Sequence, residues 1–116
     1  MPEYPLTRKI VTIKVENIAD GASGQNTWQP KEDWVIERIM MWHDGGSTFT
    51  NTLVTLKIGE TVITEPNAPA GALGTTYNRA VPLDLPIKQG EIFTFSVTNG
   101  EGATRTFYCV LVVRKA

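Results

Sequence analysis

Cysteine and histidine are almost missing from this chain: among 116 residues there is one of each, Cys109 and His43. A lone thiol closes no intrachain disulfide, so a disulfide-stapled scaffold is excluded. A zinc site needs three or four donors converging from separate parts of the chain, and this composition leaves it short of nitrogen and sulfur ligands. No metal and no cofactor is expected. Long apolar runs are missing too. Nothing approaches the roughly 20 residues that cross a bilayer as a helix, so no membrane insertion is expected. The start, Met1-Pro2-Glu3-Tyr4-Pro5, has no basic segment leading into an apolar one, and no signal peptide is expected there. Positive charge is also sparse. Lysine and arginine total 11 against 12 acidic residues, a net charge of -1, with small basic clusters only at Arg8-Lys9 and Arg114-Lys115. Neutralising phosphates takes a basic stripe, so nucleic acid is not an expected partner.

What is present is ordinary globular material. Hydrophobic residues make up 41% of the chain and charged residues 20%, which is outside the composition of disordered segments. The length suits one domain, and no linker divides it into halves that could each fold, so residues 1–116 are read as a single β-sandwich domain.

The dominant signal is alternation of apolar and polar residues between short turns. Val11, Ile13 and Val15 alternate with Thr12, Lys14 and Glu16. Asp20 to Asn26 is a cluster of turn formers and reads as a loop. Leu53 to Ile58, Gly59-Glu60 and Thr61 to Thr64 read as a hairpin, with Val54, Leu56 and Ile58 on one face. Leu83, Leu85 and Ile87 alternate with Asp84 and Pro86, and the prolines at 82 and 86, which lack donors, suit a strand that is at an edge or short. Phe93, Phe95 and Val97 alternate with Thr94, Ser96 and Thr98, and Asn99-Gly100-Glu101-Gly102 turns the chain. In the last strand Phe107, Cys109, Leu111 and Val113 point inward, yet Tyr108, Val110 and Val112 on the other face are apolar as well. That doubling points to a central position in a sheet or to contact with another subunit.

Residues 33–42 fit two patterns. Asp33 as an N-cap, Val35 and Ile39 four apart and Gly45-Gly46 beyond suit a helix. Trp34, Ile36, Met40 and Trp42 on one side suit a strand, which the strand neighbours and the two tryptophans favour. The sum is an all-β chain of about seven or eight short strands, expected to form a two-sheet antiparallel sandwich of jelly-roll type.

Few residues invite chemistry. His43-Asp44 stands before Gly45-Gly46, Cys109 sits in the inward row, and Glu16, Glu37 and Glu91 lie on or beside strands. A catalytic cysteine needs a base and an accessible, electropositive setting, so Cys109 reads as a small buried hydrophobe. Glycoside hydrolysis needs two carboxyls facing each other in a cleft, which the spacing of the acidic residues does not suggest. There is no G-x-S-x-G elbow and no phosphate-binding loop before a helix. The chain is expected not to be an enzyme. Trp34 and Trp42 are assigned to the core. Trp28, in a loop segment, either pins that loop onto the sandwich or stacks on a ligand such as a sugar. Glu65 to Ala80 reads EPNAPAGALGTTYNRA, a stretch of roughly 16 residues without periodicity, and such loops are often functional. It is read as a crossover between sheets, or as a segment ordering against a partner or ligand through Leu73 and Tyr77.

Three stretches bear a resemblance at the level of pattern: Trp28 to Ile39, Leu53 to Gly59 and Pro82 to Asn99-Gly100. The last runs apolar strand, glycine turn, strand ending in Asn-Gly. Together they resemble single jelly-roll structural proteins of viruses and phages, and also non-catalytic jelly-roll binding domains. The resemblance implies a capsid, turret, spike or decoration subunit that acts by self-association, with a virion location. Without it the chain is simply a soluble domain. On this reading the partners are further copies of the chain, other structural proteins and, in the rival reading, carbohydrate. Tyr108, Val110 and Val112 are the candidate oligomer interface, and Trp28, Leu73 and Tyr77 the candidate ligand or loop contacts.

Overall fold

A computed structural model describes residues 8–46, 49–63, 67–70 and 81–116, with the side chains of 81–83 left aside. Among the described residues there are nine strands and no α-helix: β1 (Arg8–Ile18), β2 (Ser23–Trp28), β3 (Trp34–His43), β4 (Leu53–Ile58), β5 (Thr61–Val62), β6 (Ala68–Pro69), β7 (Val81–Ile87), β8 (Phe93–Thr98) and β9 (Arg105–Lys115). They form two antiparallel sheets, one ordered β1-β9-β3-β7 and the other β2-β8-β4-β5 with β6 also on β4. β1 pairs with β9 in one sheet and β2 with β8 in the other, and inside these β3 pairs with β7 and β4 with β5, so the pairs nest along the chain. That is the rolled hairpin order of a jelly roll.

The alternation read from the sequence sets the two inner faces. Val11, Ile13 and Val15 of β1, Val54, Leu56 and Ile58 of β4, Phe93, Phe95 and Val97 of β8, and Phe107, Cys109, Leu111 and Val113 of β9 join one cluster between the sheets. Ile87 closes it from β7, which stands at the edge of its sheet as its prolines require. Segment 33–42 is extended, and β3 pairs on both sides, with β9 and with β7.

Three expectations need correction. The turn-forming cluster after β1 is shorter than its composition suggests, because Ser23 to Asn26 are already in β2, paired with β8 from Ser23↔Thr98 to Trp28↔Phe93. Pairing overrides local propensity here. Gly24 belongs to that strand because the chain passes close to β1, where a Cβ would lie 2.6 Å from Ile18 Cδ1. The single-sided alternation assigned to β3 also breaks. The register moves from Ile36↔Val113 to Arg38↔Val112, so Glu37 is an extra, bulged residue. Beyond it the inward set becomes Ile39, Met41 and His43, while Met40 and Trp42 turn to the outer face. Trp34 is therefore a core residue at 5% exposure, but Trp42 is half-buried in a separate cluster with Met40, Val110 and Val112.

Candidate functional site

The polar residues with chemical potential gather at one end of the sandwich, where β3 ends, β4 begins and the β8–β9 turn passes. His43 is the last residue of β3 and points inward at 7% exposure, with Phe49 edge-on at 5.0 Å and Phe107 at 6.1 Å between ring centres. Glu101 sits in the β8–β9 turn, and its carboxylate, 5% exposed, approaches His43 Nε2 at 3.6 Å. The Gly45 N–H donates to His43 Nδ1 at 3.0 Å, so that nitrogen is an acceptor and the ring proton lies on Nε2, toward Glu101.

The carboxylate is held from the other side by the chain entering β4. The Thr50 N–H donates to Oε2 at 2.9 Å and to Oε1 at 3.2 Å, and the Thr52 hydroxyl donates to Oε2 at 2.5 Å. The same hydroxyl accepts from the Gly100 N–H at 3.1 Å. Asn99, 1% exposed, completes the network: its Nδ2 donates to the carbonyls of Ile18 and Ala103, each at 2.7 Å, and its Oδ1 accepts from the Glu101 N–H at 2.8 Å. Burial by itself would push the Glu101 carboxyl up. The Thr52 hydroxyl, the Thr50 N–H and the His43 ring outweigh it, and the group is held below the usual carboxylate range.

A buried histidine beside a carboxylate and a hydroxyl has the residue types of acid–base chemistry. Here most of these polar atoms already have partners within the chain. Both carboxylate oxygens accept from Thr50 or Thr52, the Thr52 hydroxyl both donates and accepts, and His43 Nδ1 is capped by Gly45. A cavity of about 570 Å³ lined by Phe49, Thr50, Asn51, Thr52, Leu53 and Pro69 adjoins the cluster, but the Thr52 hydroxyl is turned to Glu101. The arrangement ties three chain segments together. Among the described residues no three His, Cys, Asp or Glu side chains lie together where they could hold a metal ion.

The other residues singled out in the sequence fall elsewhere. Cys109 is fully buried, and burial pushes its thiol far above the ordinary value. The three strand-associated carboxylates are engaged by different partners: Glu16 by Lys14 at 3.0 Å, Glu37 by Arg8 at 2.8 Å, and Glu91 by the Lys88 N–H at 2.7 Å. Trp28 ends β2, is half-buried and packs on the main core. It also lines a cleft of about 380 Å³ with Lys9, Gln29, Pro30, Lys31, Glu32 and Trp34. Leu73 and Tyr77 lie outside the described residues.

Tyr108, Val110 and Val112 occupy the outer face of β9, which is the second strand of its sheet, flanked by β1 and β3. Val110 and Val112 are closed off within the single chain at 3% and 4% exposure. Tyr108 is half-buried, its ring 6.2 Å from that of Trp42 at 31°. Sequence reasoning missed Glu101. It stands in a turn where a glutamate is unremarkable, and its partners Thr50 and Thr52 are 51 and 49 residues away.

No known protein-family model matches this chain, and no curated protein is significantly similar to it.

Proposed function

We propose that this protein is a non-catalytic building block, a self-associating jelly-roll subunit of a virion or virus-like particle. The observation that carries the reading is the outer face of the β1-β9-β3-β7 sheet. A sandwich that works alone puts polar side chains on its outer faces. Here Met40, Val110 and Val112 form a second apolar cluster that is already buried within the chain, while half-buried Trp42 and Tyr108, their rings tilted at 31°, and Ile10, 67% exposed on the neighbouring strand, leave apolar surface around it. Tyrosine, tryptophan and methionine are the residues that interfaces favour. The jelly-roll strand order is also that of many capsid domains, though lectin-like domains share it, so the fold by itself does not choose. The inward commitment of the His43–Glu101–Thr52 cluster favours a structural role over a catalytic one.

Light scattering across a concentration series tests this. A mass that rises to a multiple of 12.8 kDa is expected. A monomer at every concentration would refute it.

A second reading has its own observation. The outer face of the other sheet carries a groove of about 400 Å³ lined by Ser23, Gln25, Thr55, Asn67, Ser96 and Thr98, with no charged side chain among the described residues that line it. Such a hydroxyl- and amide-lined surface suits a neutral, hydroxyl-rich ligand such as a carbohydrate. Glycan-array binding that Gln25→Ala and Thr55→Ala abolish would move the assignment to a binding module.

A further inference from the structure

Asn99 and Gly100 are the only Asn-Gly pair in the sequence. Asparagine is a thermolabile residue, and a following glycine makes it more so, because no Cβ hinders or shields the next backbone nitrogen. The reaction is intramolecular. The Gly100 nitrogen gives up its proton and bonds to Asn99 Cγ. The bond from Cγ to Nδ2 breaks, and ammonia leaves with that proton. A succinimide ring remains. Water then adds to one of its carbonyls and opens it, either to aspartate or, with the main chain running through the side chain, to isoaspartate.

The folded chain holds each participant away from this path. The Gly100 N–H donates to Thr52 Oγ1 at 3.1 Å, and Thr52 is 2% exposed. Asn99 is 1% exposed, its Nδ2 donates to the carbonyls of Ile18 and Ala103 at 2.7 Å, and its Oδ1 accepts from the Glu101 N–H at 2.8 Å. The amide is fixed at both ends. Its main chain is fixed as well: the Asn99 N–H donates to the Ala22 carbonyl at 2.9 Å, and the Asn99 carbonyl accepts from the Gly21 N–H at 2.8 Å.

The same bonds keep the product from returning. An aspartate at this position has an oxygen where Nδ2 was, facing the carbonyl oxygens of Ile18 and Ala103 with no proton to give. A buried carboxylate in that setting is costly, and both carbonyls lose their donor. Isoaspartate adds a main-chain atom between an N–H and a carbonyl that both pair with the β1–β2 turn.

We propose that Asn99–Gly100 is a latent deamidation site that the fold holds shut, and that deamidation makes a transient opening of the β8–β9 turn permanent. The opening required is local. The Asn99 side chain and the Gly100–Thr52 bond must part, while the two sheets stay closed. Once the product forms, the β8–β9 turn is cut loose from the β1–β2 turn and from the start of β4. The lifetime of this end of the sandwich is then set by a rate of opening rather than by an equilibrium. None of this depends on what the protein assembles with, so its failure would leave the self-association reading untouched.

The test is peptide mapping by mass spectrometry after incubation at mildly alkaline pH, on native wild type, wild type in denaturing urea and native Thr52→Val. Deamidation at Asn99 is expected in urea, at least about a hundredfold slower in native wild type, and at least about tenfold faster in Thr52→Val than in native wild type. If Thr52→Val does not fold, wild type below its urea midpoint replaces it, and deamidation is expected to rise in step with hydrogen exchange of the Gly100 amide. Asn99→Asp mimics one product and is expected to lower the urea midpoint or to abolish folding. Equal rates at Asn99 in native protein and in urea would show that the fold does not hold the site shut. A Thr52→Val rate equal to that of wild type, or deamidation that does not follow Gly100 exchange, would show that this bond is not the gate. An Asn99→Asp variant as stable as wild type would show that the change is not one-way. Any of these overturns the proposal.

Discussion

Replacing Thr52 with valine removes one hydroxyl and little volume from the cluster that joins β4 to the β8–β9 turn. Thr52 is 2% exposed, so water does not take over its hydrogen bonds. Two are lost, the donation to Glu101 Oε2 and the acceptance from the Gly100 N–H. A hydrogen bond to a charged group contributes about 1.5–3 kcal/mol, and a buried donor left without a partner costs about 1–3 kcal/mol. The two share one network and do not add in full, which gives about 3 kcal/mol for Thr52→Val. For a domain of this size that corresponds to a fall in Tm of about 12 °C. The effect depends on pH. The Thr52 hydroxyl helps to hold the Glu101 carboxyl below its ordinary value. That stabilisation is fully present above the carboxyl's unfolded-state value and is lost as the pH falls through the lower, folded-state value. Urea denaturation at pH 7 and again below about pH 4 therefore shows a wide gap between wild type and Thr52→Val at the higher pH and a narrower one at the lower. A loss under about 1 kcal/mol at pH 7, or one of equal size at both pH values, would refute the account of Glu101 as a carboxylate held by Thr52.

Two further outcomes follow from burial and close approach. Gly100→Ala brings a Cβ onto the backbone carbonyl of Asn51, so the turn must move and lose the Gly100–Thr52 bond; a loss of about 2–3 kcal/mol in urea denaturation is expected, and an unchanged midpoint would contradict the packing described. Cys109 is fully buried and its thiol is shifted upward, so a chromogenic disulfide reagent should leave it intact in the native protein and titrate one thiol in denaturant. Equal rates in both conditions would place Cys109 on the surface.

The alternation of side chains determined a great deal without help from the tertiary structure. The inward sets of β1, β4, β8 and β9 can be read directly from Val11 to Val15, Val54 to Ile58, Phe93 to Val97 and Phe107 to Val113, because a strand's period is local and needs no partner to express it. The prolines of β7 marked an edge for the same reason: a missing donor is a property of the residue itself. What required the folded chain were the features made by pairs distant in sequence. Ser23 to Asn26 have turn-forming side chains and became strand only because β8 was there to pair with them. The extra residue at Glu37 changed which face Trp42 occupies, and a bulge is a relation between two strands that neither carries alone. The meeting of His43, Glu101 and Thr52 arose because the jelly-roll order brings the end of β3, the start of β4 and the β8–β9 turn to one end of the sandwich. Local periodicity specified which side of each strand is apolar. Only long-range pairing decided which polar groups face one another.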